Sequence, residues 1–394
     1  MSVLEDLIKK YCPDGVEYKT LSELGEFSNI GVDKKKVDGE KEIVLLNFMD
    51  IMKNMYIDKS IPKMIVTASD YKIEKCTIEK GDIFITPSSE TIDEIGFASV
   101  ITETIPNACY SYHIMRFRLF EYNMITSIFI RHCFNSYFLR KQIRKFAQGI
   151  TRFGLTLDKW KSLKIPLPPI EVQKEIVRIL DTFTEYQDCL NEELTLRKKQ
   201  YEYYRDKILT FGDDVEWKNL SEIAEIGTGS SNTNEEIENG KYPFFVRSQE
   251  VRSKNEYEYD ETAIITSGDG VGVGKIFHYV EGKYALHQRA YRIHIIDKNV
   301  IPKYYFYYMK TTFLSYIEKT SFHSSVTSIR RPMLNNFPVP VPPFEEQERI
   351  VKILDSFDAL CNDISSGLPA EIEMRKKQYE YYRDKLLTFK EKKV

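Results

Sequence analysis

Residues 268–275, GDGVGVGK, are the first candidates for chemistry, because a glycine-rich loop that ends in lysine can cradle a phosphate group. The spacing of a nucleotide-binding loop fails at two positions. Asp269 stands where that loop requires glycine, and Ile276 stands where it requires serine or threonine. We therefore interpret the segment as a glycine-rich β-turn, with close approach to a phosphate backbone as its functional alternative.

Other motifs that carry chemistry are also incomplete. Residues 341–344, VPPF, are similar to the Asn/Asp-Pro-Pro-Phe/Tyr motif of amino-methyltransferases, but Val341 has no amide or carboxylate for a target amine. The histidines show no metal-ligand spacing, and the six cysteines include no C-x-x-C pair, which favours reduced thiols in a cytoplasm. The sequence therefore predicts no catalytic residue, no bound metal and no cofactor of its own.

The composition is that of a soluble chain with more than one domain. Its 394 residues suit two domains with connecting elements, and 42% hydrophobic residues are enough for two cores. No apolar run reaches the roughly 18–20 residues that span a bilayer, and the first residues are unlike a secretory signal, so no membrane partner is expected. With a net charge of -3, a nucleic-acid partner would require locally concentrated positive charge.

The chain contains an internal repeat. Residues 197–211 read RKKQYEYYRDKILTF, and residues 375–389 differ from them only by Leu386 in place of Ile208. Two further pairs are shared: PPIEVQKEIVRILDTF (168–183) with PPFEEQERIVKILDSF (342–357), and VEYKTLSEL (16–24) with VEWKNLSEI (215–223). The chain is therefore a duplicated unit.

The repeat divides the chain into globular and helical segments. Each proline pair ends a globular segment, because prolines are extended there and can also begin a helix. In the first segment, residues 42–46 and 82–86 are typical of strands, and residues 125–146 predict one basic helix. The predicted boundaries are 1–168 for the first globular domain, 169–212 for a central helix, 213–342 for the second globular domain and 343–394 for a distal helix.

Residues from about Ile170 to Phe211 predict one helix of about 60 Å, at roughly 1.5 Å per residue. Its apolar residues recur at alternating three- and four-residue steps, which is typical of a coiled-coil seam. They are Ile176, Leu180, Phe183, Leu190, Leu194, Tyr201, Tyr204, Ile208 and Phe211, with Gln187 and Arg197 in the gaps. The distal helix repeats the seam at Ile350, Leu354, Phe357, Ile364, Tyr379, Tyr382, Leu386 and Phe389. Extra residues in the second copy fall near 365–369, SSGLP, where glycine and proline predict a break.

These blocks resemble the specificity subunits of type I restriction-modification enzymes. The resemblance covers essentially the whole chain and rests on the two helix blocks, PPxEEQxRIVxILD and RKKQYEYYRDKLLTF. The globular segments match loosely, through GDIF at 81–84 and GKYPFFVRSQEV at 240–251. The first copy departs from the pattern at Val172, where the second copy has Glu346, a position that we expect on the surface.

The resemblance implies an α+β fold with an internal pseudo-two-fold repeat, in which two globular target-recognition domains are separated by two long, antiparallel coiled-coil helices. Each domain would read one half of a bipartite site in double-stranded DNA. Two modification subunits would dock on the helices and carry the methyltransferase chemistry, and restriction subunits would join through the assembled complex. S-adenosylmethionine and ATP with magnesium are therefore expected on those partner subunits, in the cytoplasm.

Contacts to DNA require positive side chains for phosphates and arginine or amide groups for base edges, so such residues on polar loops are the candidates. In the first domain they are Lys34, Lys35, Lys36, Ser88, Ser89, Arg116, Thr151 and Arg152. In the second they are Ser231, Asn232, Arg247, Ser248, Gln249, Lys275, Gln288, Arg289, Ser325 and Arg330. For subunit docking they are the repeated triplets Arg197, Lys198 and Lys199 and Arg375, Lys376 and Lys377.

Each of these residues also has an ordinary alternative, because charge runs are usually solvated helix faces. Two other classes of function remain open as well. A self-sufficient enzyme is disfavoured by the incomplete motifs. A coiled-coil scaffold that binds only proteins does not explain two divergent domains on a duplicated frame.

Overall fold

The structure is a computed structural model that describes residues 2–320 and 328–392. The chain forms two compact units: the first comprises Met1–Cys189 and Ile372–Val394, and the second comprises Leu190–Glu371. Within the described residues, no helix is long and apolar enough to cross a membrane, and no group of three or more His, Cys, Asp or Glu side chains is placed to hold a metal ion.

The first unit is built on a five-stranded and a three-stranded sheet. Its strands are β1 (Glu17–Thr20), β2 (Gly25–Ser28), β3 (Lys41–Leu46), β4 (Tyr56–Ile57), β5 (Met64–Ala68), β6 (Ile83–Ile85), β7 (Ser88–Ser89), β8 (Ala98–Ile101), β9 (Ala108–Tyr110), β10 (Met115–Leu119), β11 (Phe153–Gly154) and β12 (Lys164–Leu167). The strand order is β2-β10-β6-β8-β4 in the larger sheet and β5-β3-β9 in the smaller. Both predicted strands are present, as β3 and β6.

Helices pack on both sheets of the first unit. They are α1 (Ser2–Tyr11), α2 (Leu21–Leu24), α3 (Phe48–Lys53), α4 (Asp70–Lys75), α5 (Ser127–Asn135), α6 (Tyr137–Phe146), α7 (Leu157–Lys161) and the first part of α8 (Ile170–Ile208). Alternate residues of β10 are buried, because successive side chains of a strand point to opposite faces. Phe117 of β10, Phe129 of α5 and Ile176 of α8 meet in one core cluster.

The second unit is built on a six-stranded and a two-stranded sheet. Its strands are β13 (Glu216–Asn219), β14 (Ala224–Thr228), β15 (Tyr242–Phe245), β16 (Arg252–Lys254), β17 (Tyr259–Ser267), β18 (Phe277–Leu286), β19 (Ala290–Ile295) and β20 (Pro338–Val341). The six-stranded order is β14-β19-β17-β18-β15-β16. The helices are α9 (Leu220–Ile223), α10 (Pro302–Thr320), α11 (Arg331–Asn335), α12 (Phe344–Asn362) and the start of α13 (Leu368–Leu386), and Met309 of α10 and Ile350 of α12 lie in the main core.

The two units share one strand plan, although their middle sequences diverge. The antiparallel run β2-β10-β6-β8 has its counterpart in β14-β19-β17-β18. Backbone hydrogen bonds recur at matching places: the Ser111 N–H donates to the Leu46 carbonyl and the His287 N–H to the Phe245 carbonyl, both at 2.9 Å. By these equivalent bonds, Ser111 corresponds to His287 and Leu46 corresponds to Phe245.

Helix α8 confirms the predicted long helix and most of its seam. It ends at Ile208, so the predicted seam residue Phe211 lies beyond it, and Tyr204 is 41% exposed. Ile176, Leu180 and Leu190 are buried, and the two gap residues, Gln187 and Arg197, are half-buried on the same face. Most residues between these positions are exposed. The burial pattern therefore follows the alternating three- and four-residue steps of a coiled coil.

Antiparallel helix pairing brings the repeated aromatic residues together in each unit. In the first unit Phe183 of α8 stacks on Tyr382 of α13, with ring centroids 5.6 Å apart, and Tyr186 lies 5.3 Å from the Arg375 guanidinium. In the second unit the Tyr201 and Phe357 rings are 6.0 Å apart. A phenylalanine of one repeated block thus packs on a tyrosine of the other.

The predicted break in the distal helix is confirmed, because α12 ends at Asn362 and α13 begins at Leu368. Asp363 forms the turn by accepting hydrogen bonds from Ser365 and Ser366, and these bonds lower the pKa of the carboxyl to about 2. A Cβ at position 367 would collide with the Ala359 carbonyl oxygen, which explains the glycine there.

Three local predictions are wrong. Ile364 lies in the turn between the helices and is 85% exposed, and Cys361 takes the buried seam position. The helix predicted over residues 125–146 is interrupted at Ser136, whose extended backbone ends α5 and whose hydroxyl caps α6. Val172 is fully buried rather than on the surface, because this side of α8 packs on the core of the first unit.

Candidate nucleic-acid interface

Each globular part is fixed to a long helix by a glutamine that the repeat retains. Gln173 is fully buried; its Oε1 accepts from the Thr126 N–H at 3.0 Å and its Nε2 donates to the Pro168 carbonyl at 2.7 Å. Gln347 makes the equivalent pair of bonds in the second unit, both at 2.8 Å. Buried polar groups require such partners, so these glutamines set where each helix enters its domain.

A repeated aspartate forms the second attachment. In the first unit Asp181 of α8 accepts hydrogen bonds from the Tyr56 hydroxyl and from His132 Nε2, both at 2.8 Å. Asp355 of α12 accepts from the Tyr307 hydroxyl at 2.6 Å in the second unit. The two attachments explain why glutamine and aspartate recur in both helix blocks, and they hold each sheet, with its loops, on a rigid support.

The loops at one end of the larger sheet in the first unit enclose a cleft of about 450 Å³. The end of β6 and the start of β10 lie there side by side, because these strands are antiparallel. The cleft is lined by Phe48, Ser89, Glu90, Thr91, Glu94, His113 and Arg152. Two of these, Ser89 and Arg152, are predicted DNA contacts.

A short strand pair positions the arginine of this cleft. β7 and β11 are antiparallel with Ser88 opposite Gly154, and Arg152 Nε donates to Ser88 Oγ at 3.1 Å. Ser89 is buried and donates to Glu94 at 2.5 Å, so it supports the loop rather than facing solvent. Arg152 remains exposed at the rim.

Two predicted cations act on the imidazole of His113. Burial lowers the pKa of His113, and the positive charges of Lys34 and Arg152 lower it further. The ring is therefore neutral at pH 7, with one nitrogen as donor and the other as acceptor. The cleft thus presents one guanidinium, that of Arg152, and a neutral imidazole beside the carboxylates of Glu90 and Glu94. The guanidinium and the imidazole N–H can each donate to a phosphate or a base edge.

Three other candidates of the first domain lie on exposed loops, as predicted. Lys36 pairs with Glu42 at 2.9 Å, and Lys35 lies 3.6 Å from an Asp33 oxygen. Thr151 is exposed beside Arg152. Their DNA contacts stay predictions.

The placement of Arg116 on a polar loop is wrong. Arg116 lies on strand β10, where its Nη1 donates to the Thr77 carbonyl at 2.9 Å and its guanidinium is 5.6 Å from the Tyr110 ring centre. These contacts engage the guanidinium within its own unit, so Arg116 is not the loop residue that the prediction assumed.

In the second unit, Asp269 joins two predicted arginines. It lies in the turn between β17 and β18, where Gly270 and Gly274 have φ of 84° and 71°, so the β-turn interpretation of this segment is confirmed. Asp269 Oδ1 accepts from Arg247 Nη1 at 2.8 Å, and Oδ2 accepts from Arg289 Nη1 at 3.0 Å.

The cluster of Arg247, Asp269 and Arg289 carries a surplus positive charge. Burial acts to raise the pKa of Asp269, but the hydrogen bonds from Arg247 and Arg289 outweigh it and the net shift is downward. The carboxylate is therefore ionised at pH 7 between two permanent cations. The arginine side chains are 41% and 62% exposed, so they are accessible to a ligand.

Polar groups beside this cluster are also paired. Gln288 Nε2 donates to Asn232 Oδ1 at 2.5 Å, and both side chains are exposed. Ser231, by contrast, is buried; it donates to Glu258 and accepts from Lys254 Nζ at 3.0 Å. Gln288 and Asn232 are thus placed for an external contact, whereas Ser231 has a structural role.

The remaining candidates of the second domain are not members of the cluster of Arg247, Asp269 and Arg289, and one of them lies beyond the described residues. Gln249, Lys275 and Arg330 are exposed, and Ser248 is half-buried with its hydroxyl donating to the Glu250 carbonyl at 2.9 Å. Ser325 lies outside the described residues.

The cleft of the first unit and the cluster of the second occupy the same place in the strand plan. His113 and Arg289 each donate the backbone N–H to the side chain two residues earlier, at 3.3 and 3.0 Å. Ser88 and Asp269 each pair with the segment that precedes a short helix, α7 or α11. The matched pairs are His113 and Arg289, Ser88 and Asp269, and Phe48 and Arg247. One frame thus presents different chemistry in each unit.

Sequence reasoning missed His113, Phe48 and Asp269. A lone histidine such as His113 is more often structural than functional. Phe48 and Asp269 are neither cations nor amides, the side chains that are expected to contact DNA. The available signal was position: His113 stands in a short polar stretch, SYH, between two apolar strands, and loops between strands often carry binding residues.

The repeated basic triplets divide between two roles. Arg197 and Arg375 are half-buried on the helix seam, and each donates to a glutamine three residues later at 3.0 Å. The four lysines of the triplets are exposed: Lys198, Lys199, Lys376 and Lys377. The lysines therefore present their charge outward, whereas the guanidinium groups of Arg197 and Arg375 are engaged along their own helices.

Residues 13–197 and 212–374 match the model of a family described as the type I restriction modification DNA specificity domain. Together the two stretches cover well over half of the chain. The chain belongs to this family. Two copies of the specificity domain in one chain account for the duplicated blocks and the shared strand plan.

Curated relatives carry the same assignment. The specificity subunit of the Escherichia coli type I restriction enzyme EcoR124I/EcoR124II is 36% identical over 284 residues, which cover 64% of this chain and 70% of the relative. A putative type I specificity subunit of Mycoplasma pneumoniae is 32% identical over 254 residues, 60% of this chain and 90% of the relative.

Solved structures of specificity subunits share the fold. The S subunit from M. genitalium matches with a TM-score of 0.56 and 15% identity, over 95% of this chain and 96% of that one. A chain from a structure on complex assembly and conformational transition of the type I R-M system matches with a TM-score of 0.60 and 16% identity, over 95% and 98%. The predicted fold class, two specificity domains with long helices, is confirmed.

Proposed function

We propose that this chain gives a type I restriction-modification complex its DNA sequence specificity and performs no chemistry of its own. Each unit reads one half of a bipartite site in double-stranded DNA. The proposed target-recognition domains extend over residues 1–168 and 213–342, and the helical segments 169–212 and 343–394 set the distance between the half-sites.

One observation carries this proposal. At matched positions of one strand plan, the first unit presents His113, Phe48 and Ser88, whereas the second presents Arg289, Arg247 and Asp269. A constant frame with unlike side chains at the same loops is what recognition of two different base sequences requires. The residues of the frame itself, such as the repeated glutamines, do not differ.

The outer faces of the helices are the proposed docking surfaces for two modification subunits. Beside the exposed lysines, large apolar side chains are exposed at matching positions of the two repeats: Leu196 and Tyr203, and Met374 and Tyr381. Aromatic residues and Met are enriched at protein interfaces, where an apolar body and a polar tip are both useful. Equivalent surfaces on two repeats suit two copies of one partner.

The chemistry is assigned to the partners. S-adenosylmethionine binds to the modification subunits and ATP with magnesium to the restriction subunits, which join through the assembled complex in the cytoplasm. The support for a non-catalytic chain is the incomplete phosphate-loop spacing at residues 268–275 and the missing polar residue at Val341.

The test is methyl transfer to a DNA library by purified chain, by modification subunits and by both together. We expect methylation only in the mixture, at one bipartite motif, with the chain alone neither methylating nor cleaving DNA. Modification subunits mixed with a specificity chain of known, different motif are the matched control. Methylation by the chain alone, or a mixture without sequence preference, would contradict the proposal.

A further inference from the structure

We infer that the second unit reads a guanine in its half-site through Arg289 and Arg247, with Asp269 as the positioning residue. This inference rests on the proposed function and adds the base that the site selects. The partner is defined by its chemistry: guanine presents two acceptors, O6 and N7, in the major groove, and a guanidinium matches both.

The hydrogen bonds of the cluster leave donors for such a contact. Each arginine uses Nη1 for one Asp269 oxygen, at 2.8 Å for Arg247 and 3.0 Å for Arg289. A guanidinium carries five N–H donors in a fixed plane, so most of the donors of each side chain remain. The carboxylate fixes the direction of both planes before a ligand arrives, which lowers the conformational entropy lost on binding.

The turn that carries Asp269 is itself held at both ends. Ser267 Oγ donates to the Asp269 carbonyl at 2.8 Å, and the Ile329 N–H donates to the Gly268 carbonyl at 2.9 Å. A Cβ at Gly270 would meet no atom, so the outer side of the turn is open. The carboxylate is thus fixed in position on a surface that a ligand can approach.

A base edge fits this cluster better than a phosphate. The carboxylate between the arginines repels an anion, whereas guanine O6 and N7 are neutral acceptors. The cluster also differs from an ordinary surface pair such as Arg252 with Glu236, in which one cation meets one anion at 2.5 Å. Here two exposed cations share one carboxylate, and the surplus positive charge attracts DNA.

The first unit has no counterpart of this cluster at the matched positions. His113 stands in place of Arg289, Phe48 in place of Arg247, and Ser88 in place of Asp269. Selection of guanine by the cluster is therefore confined to the half-site of the second unit.

The experiment maps the methylated motif of the complete complex for the wild-type chain and for the variants Arg289→Lys, Arg247→Lys and Asp269→Asn. Lysine keeps the charge for a phosphate but lacks the planar fork. We expect the arginine variants to lose preference for one G·C pair by about 5- to 150-fold, since a bidentate base contact is worth about 1–3 kcal/mol. Asp269→Asn should relax the same position less strongly. Arg252→Lys is the matched control in the same unit and should leave the motif unchanged.

Three outcomes would refute either the guanine contact or the proposed function on which it rests. A wild-type complex without a bipartite motif would refute the proposed function. An unchanged motif in all three variants would refute the guanine contact and leave the proposed function intact. Uniformly weaker methylation without a change of motif would assign the arginines to phosphates and also refute it. Thermal unfolding of each variant near the wild-type temperature shows that the unit is folded.

Discussion

Single buried side chains determine how firmly each recognition domain is held. Replacing Gln173 with alanine would leave the Thr126 N–H and the Pro168 and Met124 carbonyls without their side-chain partner. Each buried group that loses its hydrogen bond costs about 1–3 kcal/mol, so we expect the free energy of unfolding to fall by about 3 kcal/mol. Urea unfolding measures this change.

The neighbouring residue provides the control for this substitution. Lys174→Ala removes an exposed side chain of the same helix turn and should change the free energy of unfolding by less than about 0.5 kcal/mol. Equal effects of Gln173→Ala and Lys174→Ala would show that the glutamine does not anchor the helix.

His132 should make the first unit sensitive to acid. Burial lowers the pKa of His132, so the unfolded chain takes up this proton at a higher pH than the folded chain. Below about pH 6.5, the ordinary value, the unfolded state is therefore favoured by up to about 1.4 kcal/mol per pH unit. The contribution is fully present above that pH. Asp181, whose pKa is lowered, acts only near its ordinary value of about 3.9.

His132→Gln retains an N–H donor for Asp181 but does not titrate. We expect its free energy of unfolding to fall less steeply than that of the wild type between about pH 6.5 and 5. Urea unfolding at a series of pH values compares the two slopes. Parallel curves would mean that His132 is protonated equally in both states.

At the candidate sites, residue type was easier to predict than residue role. Lys34, Arg152, Arg247 and Arg289 were predicted because DNA requires cations and arginine forks. Their grouping was not predictable, because it depends on which loops the antiparallel strands bring to one end of the sheet. Asp269 is negatively charged, whereas the residues expected to contact DNA are positive or neutral. Its role in positioning the arginines is visible only from its hydrogen bonds with Arg247 and Arg289.

At the scale of elements, the helix seam was predicted almost completely. Its period is a property of the sequence alone, and the burial of Ile176, Leu180 and Leu190 follows it. Ile364 departs from it, since Asp363, Ser365 and Gly367 form a turn that takes this residue out of the helix. Glycine and proline near residues 365–369 predict the break, but they do not show that the turn already includes Ile364.

The exposed lysines of the helices allow a test of subunit docking. Reversing the charge of one pair, Lys198→Glu with Lys199→Glu, places two anions on one proposed docking surface without touching the seam. We expect native mass spectrometry to show one modification subunit bound instead of two, because the equivalent surface at Lys376 and Lys377 is intact. Reversal of both pairs should abolish docking.

The matched control for charge is a lysine pair on a different helix. Lys9→Glu with Lys10→Glu alters two exposed residues of α1 and should leave two modification subunits bound. Retention of two subunits after reversal of both helix pairs would remove the lysines from the docking surface.

At the scale of the whole molecule, the continuous helix α8 predicts a dependence of DNA spacing on helix length. Four residues inserted between Asn191 and Thr195 would lengthen the helix by about 6 Å, with little rotation, because four residues are close to one turn. We expect the spacer between the half-sites to grow by about one or two base pairs, at about 3.4 Å each, with both half-sites unchanged. Mapping of methylated sites measures the spacer.

A control insertion distinguishes the effect of a longer helix from the effect of a longer chain. The same four residues placed after Asn239, in a turn of the second unit, should leave the spacer as it is. A spacer that does not change with the α8 insertion would rule out the helix as the element that sets the distance.

The duplication was readable from the sequence, but the shared strand plan of the two domains was not. Helix blocks at 197–211 and 375–389 are nearly identical because they make the same contacts in both units. The sheets tolerate different side chains, since a strand requires only alternation of buried and exposed residues and its backbone forms the ladder. Sequence similarity therefore disappears where the fold is retained.

The measurement that tests the central claim most directly is a domain exchange. Residues 213–342 are replaced by the matching segment of a relative with a known, different motif, and the methylated motif of the assembled complex is mapped. We predict that one half-site becomes that of the relative while the other half-site and the spacer stay the same. A change in both half-sites, or in neither, would contradict the claim that each of the two units recognises one half-site independently of the other.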